Sequence, residues 1–226
     1  MLTTLAQKTD PANAALLVID MQNDFCSQKG ASGLHGADLS STRSMIPKLV
    51  RLIDEARKVS FKIIYVLASY SSDQNWYISE VYHEQMLRKR RRSITDFPVC
   101  QEGTWGWRLV DELKPLPNEV IVNKHRWTAF LGTDLEIILR NKGVKSLILS
   151  GVTSNVCVDS TARDAFLHDY YVVFTSDCTA SYNEKAHLST LETIDAHFGV
   201  VATSEEIMDC WRKAERPRKL ESIALT

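Results

Sequence analysis

Apolar residues fall along this chain in two alternating rhythms. Apolar runs of strand length, ALLVID (15–20), FKIIYVLA (61–68), EVIVNK (119–124), SLILSG (146–151) and YYVVFTSDC (170–178), are separated by stretches of helical spacing. In MIPKLVRLIDEARKV (45–59), Ile46, Leu49, Val50, Ile53 and Ala56 share one helical face. DLEIILRNKG (134–143) reads as a helix with Asp134 as cap or first-turn acid and Gly143 as its stop. VCVDSTARDAFLHD (156–169) and EKAHLSTLETIDAHFG (184–199) read as further helices, and VVATSEEIMDCWRKA (200–214) as a last short strand and helix. WGWRLVDEL (105–113) predicts a short helical turn. Residues 1–13 and the tail ERPRKLESIALT read as polar, loosely held ends.

Strands that are apolar throughout, rather than alternating, belong to sheets covered on both faces. Alternation of such strands with helices predicts βαβ units. The expected fold is therefore a three-layer α/β/α Rossmann-like arrangement around a mostly parallel sheet of about six strands. A single domain over 1–226, with its core at about 13–210, accommodates every element. Residues 69–104 break the rhythm and are too long for a simple strand-to-helix loop, so they read as a lid or specificity insert.

Composition removes several classes of function. The 226 residues are 44% hydrophobic and 24% charged with a net charge of −1, which gives no field to attract nucleic acid or an anionic membrane. No stretch reaches the roughly 18 unbroken apolar residues of a membrane span. The start MLTTLAQKTDPANAA lacks the basic and apolar blocks of a secretory signal. Five scattered cysteines without a CxxC pair fit separate thiols in a reducing compartment, so the cytoplasm is expected. The run RKRRR (88–92) reads as a solvated or subunit-contact face, with a substrate carboxylate or a polyanion as open alternatives.

In open parallel sheets, ligands sit beyond the carboxyl ends of the strands. Asp20 ends ALLVID, Lys124 ends EVIVNK, and Cys157 follows SLILSG at a helix start. Singly, Asp20 could cap a turn, Lys124 could be a solvated strand end, and Cys157 a small buried filler. Together they put an acid, a base and a thiol on one rim. A helix N-terminus and a nearby cation both favour the nucleophilic thiolate. Asp20 could accept the thiol proton and return it to a leaving amine. Backbone N–H groups around Thr153 and Cys157 could hold an oxyanion.

ALLVIDMQNDFC, VNKHRWTAF and SGVTSNVCVDSTARDAF resemble the signature blocks of the isochorismatase-like cysteine hydrolases, a superfamily that includes nicotinamidase, N-carbamoylsarcosine amidase, ureidoacrylate amidohydrolase, biuret hydrolase and isochorismatase. The resemblance covers roughly residues 13 to 210. It implies that Asp20 is the acid/base, Lys124 the catalytic lysine and Cys157 the nucleophile. It also places a cis peptide at Val152–Thr153, aiming the Thr153 N–H into an oxyanion hole with Cys157. Isochorismatase-type members typically lack the cysteine, so Cys157 implies cleavage of a C–N bond through a thioester. YVLASYSSDQNWY lacks the Asp-x-His metal pattern of many nicotinamidases, so neither a metal nor another cofactor is expected.

GTWGWRLVDELKP followed by KHRWTAF looks most like ureidoacrylate amidohydrolases and their ureido-cleaving relatives. The implied substrate is a small amide or ureido compound, with a nicotinamidase- or maleamate-type amidase or a non-catalytic binding member as alternatives. Gln22, Asn23, Phe25, Trp105, Trp127, Phe130 and Asn155 are the candidate substrate-binding residues. The resemblance further implies a homodimer or homotetramer.

Overall fold

In a computed structural model, residues 1–69, 76–90 and 99–224 are described, with backbone only for 86–90 and 215–224. Helices α1 (Leu5–Lys8), α2 (Asn23–Cys26), α3 (Ala31–Leu34), α4 (Ser40–Lys58), α5 (Glu80–Arg90), α6 (Leu135–Asn141), α7 (Asp159–Leu167), α8 (Glu184–His197) and α9 (Ser204–Ala224) surround the strands. Those strands are β1 (Ala14–Ile19), β2 (Lys62–Ala68), β3 (Val120–Lys124), β4 (Ser146–Val152), β5 (Tyr171–Ala180) and β6 (Val200–Ala202). They form one six-stranded sheet in the order β3-β2-β1-β4-β5-β6, and every pairing is parallel. Strand order reverses between β1 and β4, which opens a crevice at their carboxyl ends.

Burial explains the two rhythms. All of β1 is buried, and its residues divide by parity between two cores. Ala14, Leu16 and Val18 pack with Ile46, Leu49, Leu52 and Ile53 of α4 and with Ile207, Met208 and Trp211 of α9. Ala15, Leu17 and Ile19 pack with Leu135 and Leu139 of α6, Ala162 and Ala165 of α7 and Ile194 of α8. The expected three layers are thus α4 and α9, the sheet, and α6, α7 and α8. No helix among the described residues is long and apolar enough to cross a membrane.

Three local expectations give way. Residues 105–109 form turns and an isolated antiparallel bridge, Gln22 to Leu109, instead of a helical turn. The amides of Asn23 and Asp24 donate to Arg108 O and Gly106 O, and Val110 N donates to Met21 O, so pairing between two distant segments replaces pairing along one. The amino-terminal segment is tied down rather than loose. Thr4 and Gln7 form a capping box at α1, and Trp211 Nε1 donates to Thr9 O at 2.7 Å. The carboxyl-terminal segment continues α9 as far as Ala224. The lysine- and arginine-rich run at 88–92 lies outside the residues whose side chains are described.

Gly151, in β4, has φ +108, and a Cβ there would overlap the Ile19 carbonyl of β1. Close approach of β1 and β4 at the crevice therefore requires glycine. Gly151→Ala should lower unfolding free energy by about 2–4 kcal/mol, read from urea denaturation midpoints. A loss below the error of the midpoint would show that the two strand ends are not in hard contact.

Candidate active site

Asp20 immediately follows β1, with φ +52, a left-handed conformation that turns the chain away from the sheet. Lys124 closes β3 on the face shared with Val122, so the strand's alternation points it inward. Its Nζ reaches under the crevice to Asp20 Oδ2 at 2.9 Å and to Arg126 O at 3.1 Å. Cys157 sits on a single π-helical turn, Ser154–Val158, that follows β4 and leads into α7. Its thiol lies beside the Asp20 carboxylate and the Lys124 ammonium, close enough to interact with both. The Val152–Thr153 peptide is cis.

All three groups are buried, Asp20 to 1% exposure, Lys124 to 0% and Cys157 to 7%. Burial pushes the Asp20 carboxyl above its ordinary range, even though the Lys124 charge and the hydrogen bonds from Cys157 and Lys124 pull the other way. Burial alone would lower Lys124, but Asp20 and Cys157 outweigh it and hold the ammonium form. A carboxyl raised in this way accepts and returns a proton near neutral pH more readily than an ordinary aspartate.

Above the trio lies a cavity of about 340 Å³ lined by Asp20, Phe25, Trp127, Thr153, Asn155, Cys157 and Tyr182, among others. Val99 and Gln85 also line it, and Ile78, Tyr82, Val99 and Cys100 join Phe25 and Trp127 in a small apolar cluster beside it. The described parts of the 69–104 segment therefore cover the site. Tyr82 is fixed there because its hydroxyl accepts from Trp127 N at 3.1 Å.

Of the substrate-binding candidates, Phe25, Trp127 and Asn155 line this cavity. Gln22 does not. Its Nε2 donates to Ala68 O and Trp107 O, and its Oε1 accepts from Ala68 N, which clamps the ends of β1 and β2 to the 105–109 segment. Asn23 is used the same way, with Nδ2 donating to Trp105 O at 2.9 Å. Trp105 is 46% exposed and is not among the described residues that line the cavity. Phe130 is buried in the α6–α7 core, stacked on His168 at 5.0 Å. Backbone groups left by the irregular 20–24 turn need partners, and the nearest polar side chains supply them.

Residues missed in the sequence are Ser181, Tyr182 and Asn183, which follow β5 and form one wall. Their signal was the strand end itself: β5 runs on to Ala180, beyond the apolar run that suggested its limit. Cys26, Cys100 and Cys178 are buried, and burial pushes each of their thiols up, that of Cys178 to about 12. Such thiols are packing groups, not nucleophiles. No group of three or more His, Cys, Asp or Glu side chains among the described residues is arranged to hold a metal ion.

Residues 14–206 match the family model of the isochorismatase domain. The chain belongs to the isochorismatase family. It is 34% identical over 210 residues to the ureidoacrylate amidohydrolase RutB of Yersinia enterocolitica, covering 87% of this chain and 88% of the relative. It is 30% identical over 203 residues to the enzyme of the same name from Agrobacterium fabrum, covering 85% and 87%. Among solved structures, a cysteine hydrolase from Pseudomonas syringae superposes with a TM-score of 0.77 at 25% identity, covering 91% of this chain and 95% of that one. The all-parallel order and flanking helices are those of the isochorismatase-like fold.

The buried ion pair yields a stability prediction. Lys124→Met leaves the Asp20 carboxylate buried without a counter-charge, which should cost about 3–5 kcal/mol at neutral pH. In this variant the folded state holds a proton on Asp20 that the unfolded state releases, so the deficit should shrink as pH falls from 7 toward 4. Chemical denaturation across that range checks both parts, and a pH-independent deficit would count against the pairing.

Proposed function

We propose that this isochorismatase-family chain is a cysteine-dependent amidohydrolase that opens a C–N bond of a small amide or ureido substrate through a thioester. The observation that carries this reading is the contact of Cys157 with both Asp20 and Lys124 at the floor of one cavity. Ureidoacrylate amidohydrolase is the name of the relatives at 30% and 34% identity, which supports an amide-type substrate.

In the proposed sequence, Asp20 takes the Cys157 proton and the sulfur attacks the carbonyl carbon. Charge moves onto the carbonyl oxygen, opposite the backbone N–H groups of Thr153 and Cys157. Collapse breaks the C–N bond, and the leaving nitrogen takes the proton from Asp20. Water then loses a proton to Asp20 and attacks the thioester carbon, which frees the acid and returns the proton to Cys157. Lys124 stays charged throughout and keeps the transferred negative charge close to a counter-ion.

The cavity wall supports a substrate that carries a further acceptor oxygen. Asn183 N donates to the Ser181 hydroxyl, which donates in turn to Asn155 Oδ1 at 2.7 Å. Asn183 Oδ1 accepts from Ala186 N at 2.9 Å. Both amide oxygens are engaged, so what these two side chains offer a ligand is N–H. Carboxylate or ureido carbonyl oxygens match such donors.

Cys157→Ala should abolish ammonia release from a panel of ureidoacrylate, N-carbamoyl amino acids, biuret, maleamate and nicotinamide, with the melting temperature retained. An unchanged rate would overturn the mechanism. Because protonated Asp20 cannot accept the thiol proton, kcat/KM should fall on the acid side with a midpoint above the ordinary aspartate value of 3.8. A rate–pH profile flat down to that value would remove Asp20 from the reaction. Asn155→Asp, which replaces a donor by a like charge, should raise KM about tenfold for maleamate while changing that for nicotinamide little. Equal effects on the two would place the acceptor oxygen elsewhere.

A further inference from the structure

Helix α8 packs beneath the π-helical turn that carries Cys157, and it brings one titratable side chain to it. His187 Nδ1 lies 2.9 Å from the hydroxyl of Ser154, the first residue of that turn. Ser154 is fully buried and His187 half-buried. The His187 ring also interacts with the Ser176 backbone of β5. A neutral imidazole carries one N–H; assigning that hydrogen to the Ser176 carbonyl leaves Nδ1 as an acceptor for the Ser154 O–H. The ring thus fastens the nucleophile's turn to β5 from below, independently of the Ser181–Asn155 hydrogen bond above it.

We propose that His187 is a positioning residue for the reaction, holding the Cys157 turn in its reactive geometry only while its imidazole is neutral. Protonation puts a hydrogen on Nδ1, the acceptor becomes a donor, and the Ser154 hydroxyl must reverse inside a buried site. Burial holds His187 below its ordinary value of 6.5, despite the Ser176 hydrogen bond and the nearby Glu184. The ring is therefore neutral at neutral pH, and the turn loosens as pH falls through a value under 6.5. Charged groups facing the same hollow are Lys48 from α4, Asp177 from β5 and Glu184 from α8. Cys157 is the titratable group on the turn itself.

The inference rests on Cys157 being the nucleophile, and the test separates the two. Alkylation of Cys157 by iodoacetamide and ammonia release from the amide panel are each followed from pH 4 to 8, in the intact chain and in variants. His187→Leu should lower kcat about ten- to a hundredfold with little change in KM, because the ring touches the turn and not the substrate. His187→Asn keeps an acceptor near the place of Nδ1 but cannot titrate, so it should restore most of that loss and erase one acid-side inflection from both profiles. Ser154→Ala and His187→Leu should be non-additive, since each removes the same hydrogen bond. An inflection that persists in His187→Asn, or effects that simply add, would overturn the proposal. If His187→Leu fails to fold, Ser154→Ala and His187→Asn carry the same comparison. Amide release absent in every case, with the alkylation inflection present and lost in His187→Asn, would overturn the amidohydrolase reading and support this one.

Discussion

The site depends on a lysine and an aspartate that meet 2.9 Å apart with almost no exposure to water. Neither charge is stable there alone, because an unpaired buried ion costs several kcal/mol or neutralises instead. Each is the condition for the other. Their meeting also places the thiol, because the Asp20 carboxylate that faces Lys124 also lies beside Cys157. The sheet order, the glycine at 151 and the Gln22 clamp all serve to hold the strand ends that bring these groups together.

Around that buried trio the supporting structure is made mostly of backbone hydrogen bonds. Asp20 leaves β1 in a left-handed conformation, and the chain turns through 20–22 into the single turn of α2. Gln22 and Asn23 answer with side-chain amides, and the 105–110 segment answers with its carbonyls and an amide. Asp24 accepts from Ala31 N and Cys100 N, which ties the covering segment to the same turn. A network of this kind fixes geometry more firmly than apolar packing, because buried polar groups lose a great deal when they are displaced.

Periodicity made the architecture legible before any coordinates. A fully apolar run such as AALLVI has no amphipathic face, so it must lie between two layers, and it does. Asp20, Lys124 and Cys157 were legible for the same reason: each stands at the end of such a run, where parallel sheets bind ligands. The second ring of residues was not. Gln22 and Phe130 have the right chemistry for a pocket, yet one is claimed by backbone and the other by a core. Those are decisions of tertiary geometry that leave no periodic trace. Tyr182 and Asn183 were not singled out because the strand read over 170–178 stops short of Thr179 and Ala180, and it is the residues after Ala180 that reach the cavity.

The lysine comes from β3, which stands at the margin of the sheet and is two strands removed from the aspartate it serves. Marginal strands with a single hydrogen-bonded neighbour open more easily than central ones, and local opening of this kind needs no global unfolding. Detachment of β3 would withdraw the cation while β1 and β4 still hold the acid and the thiol. That would leave the Asp20 carboxylate buried without its counter-charge, so the ion pair itself fastens this five-residue marginal strand to the centre of the sheet.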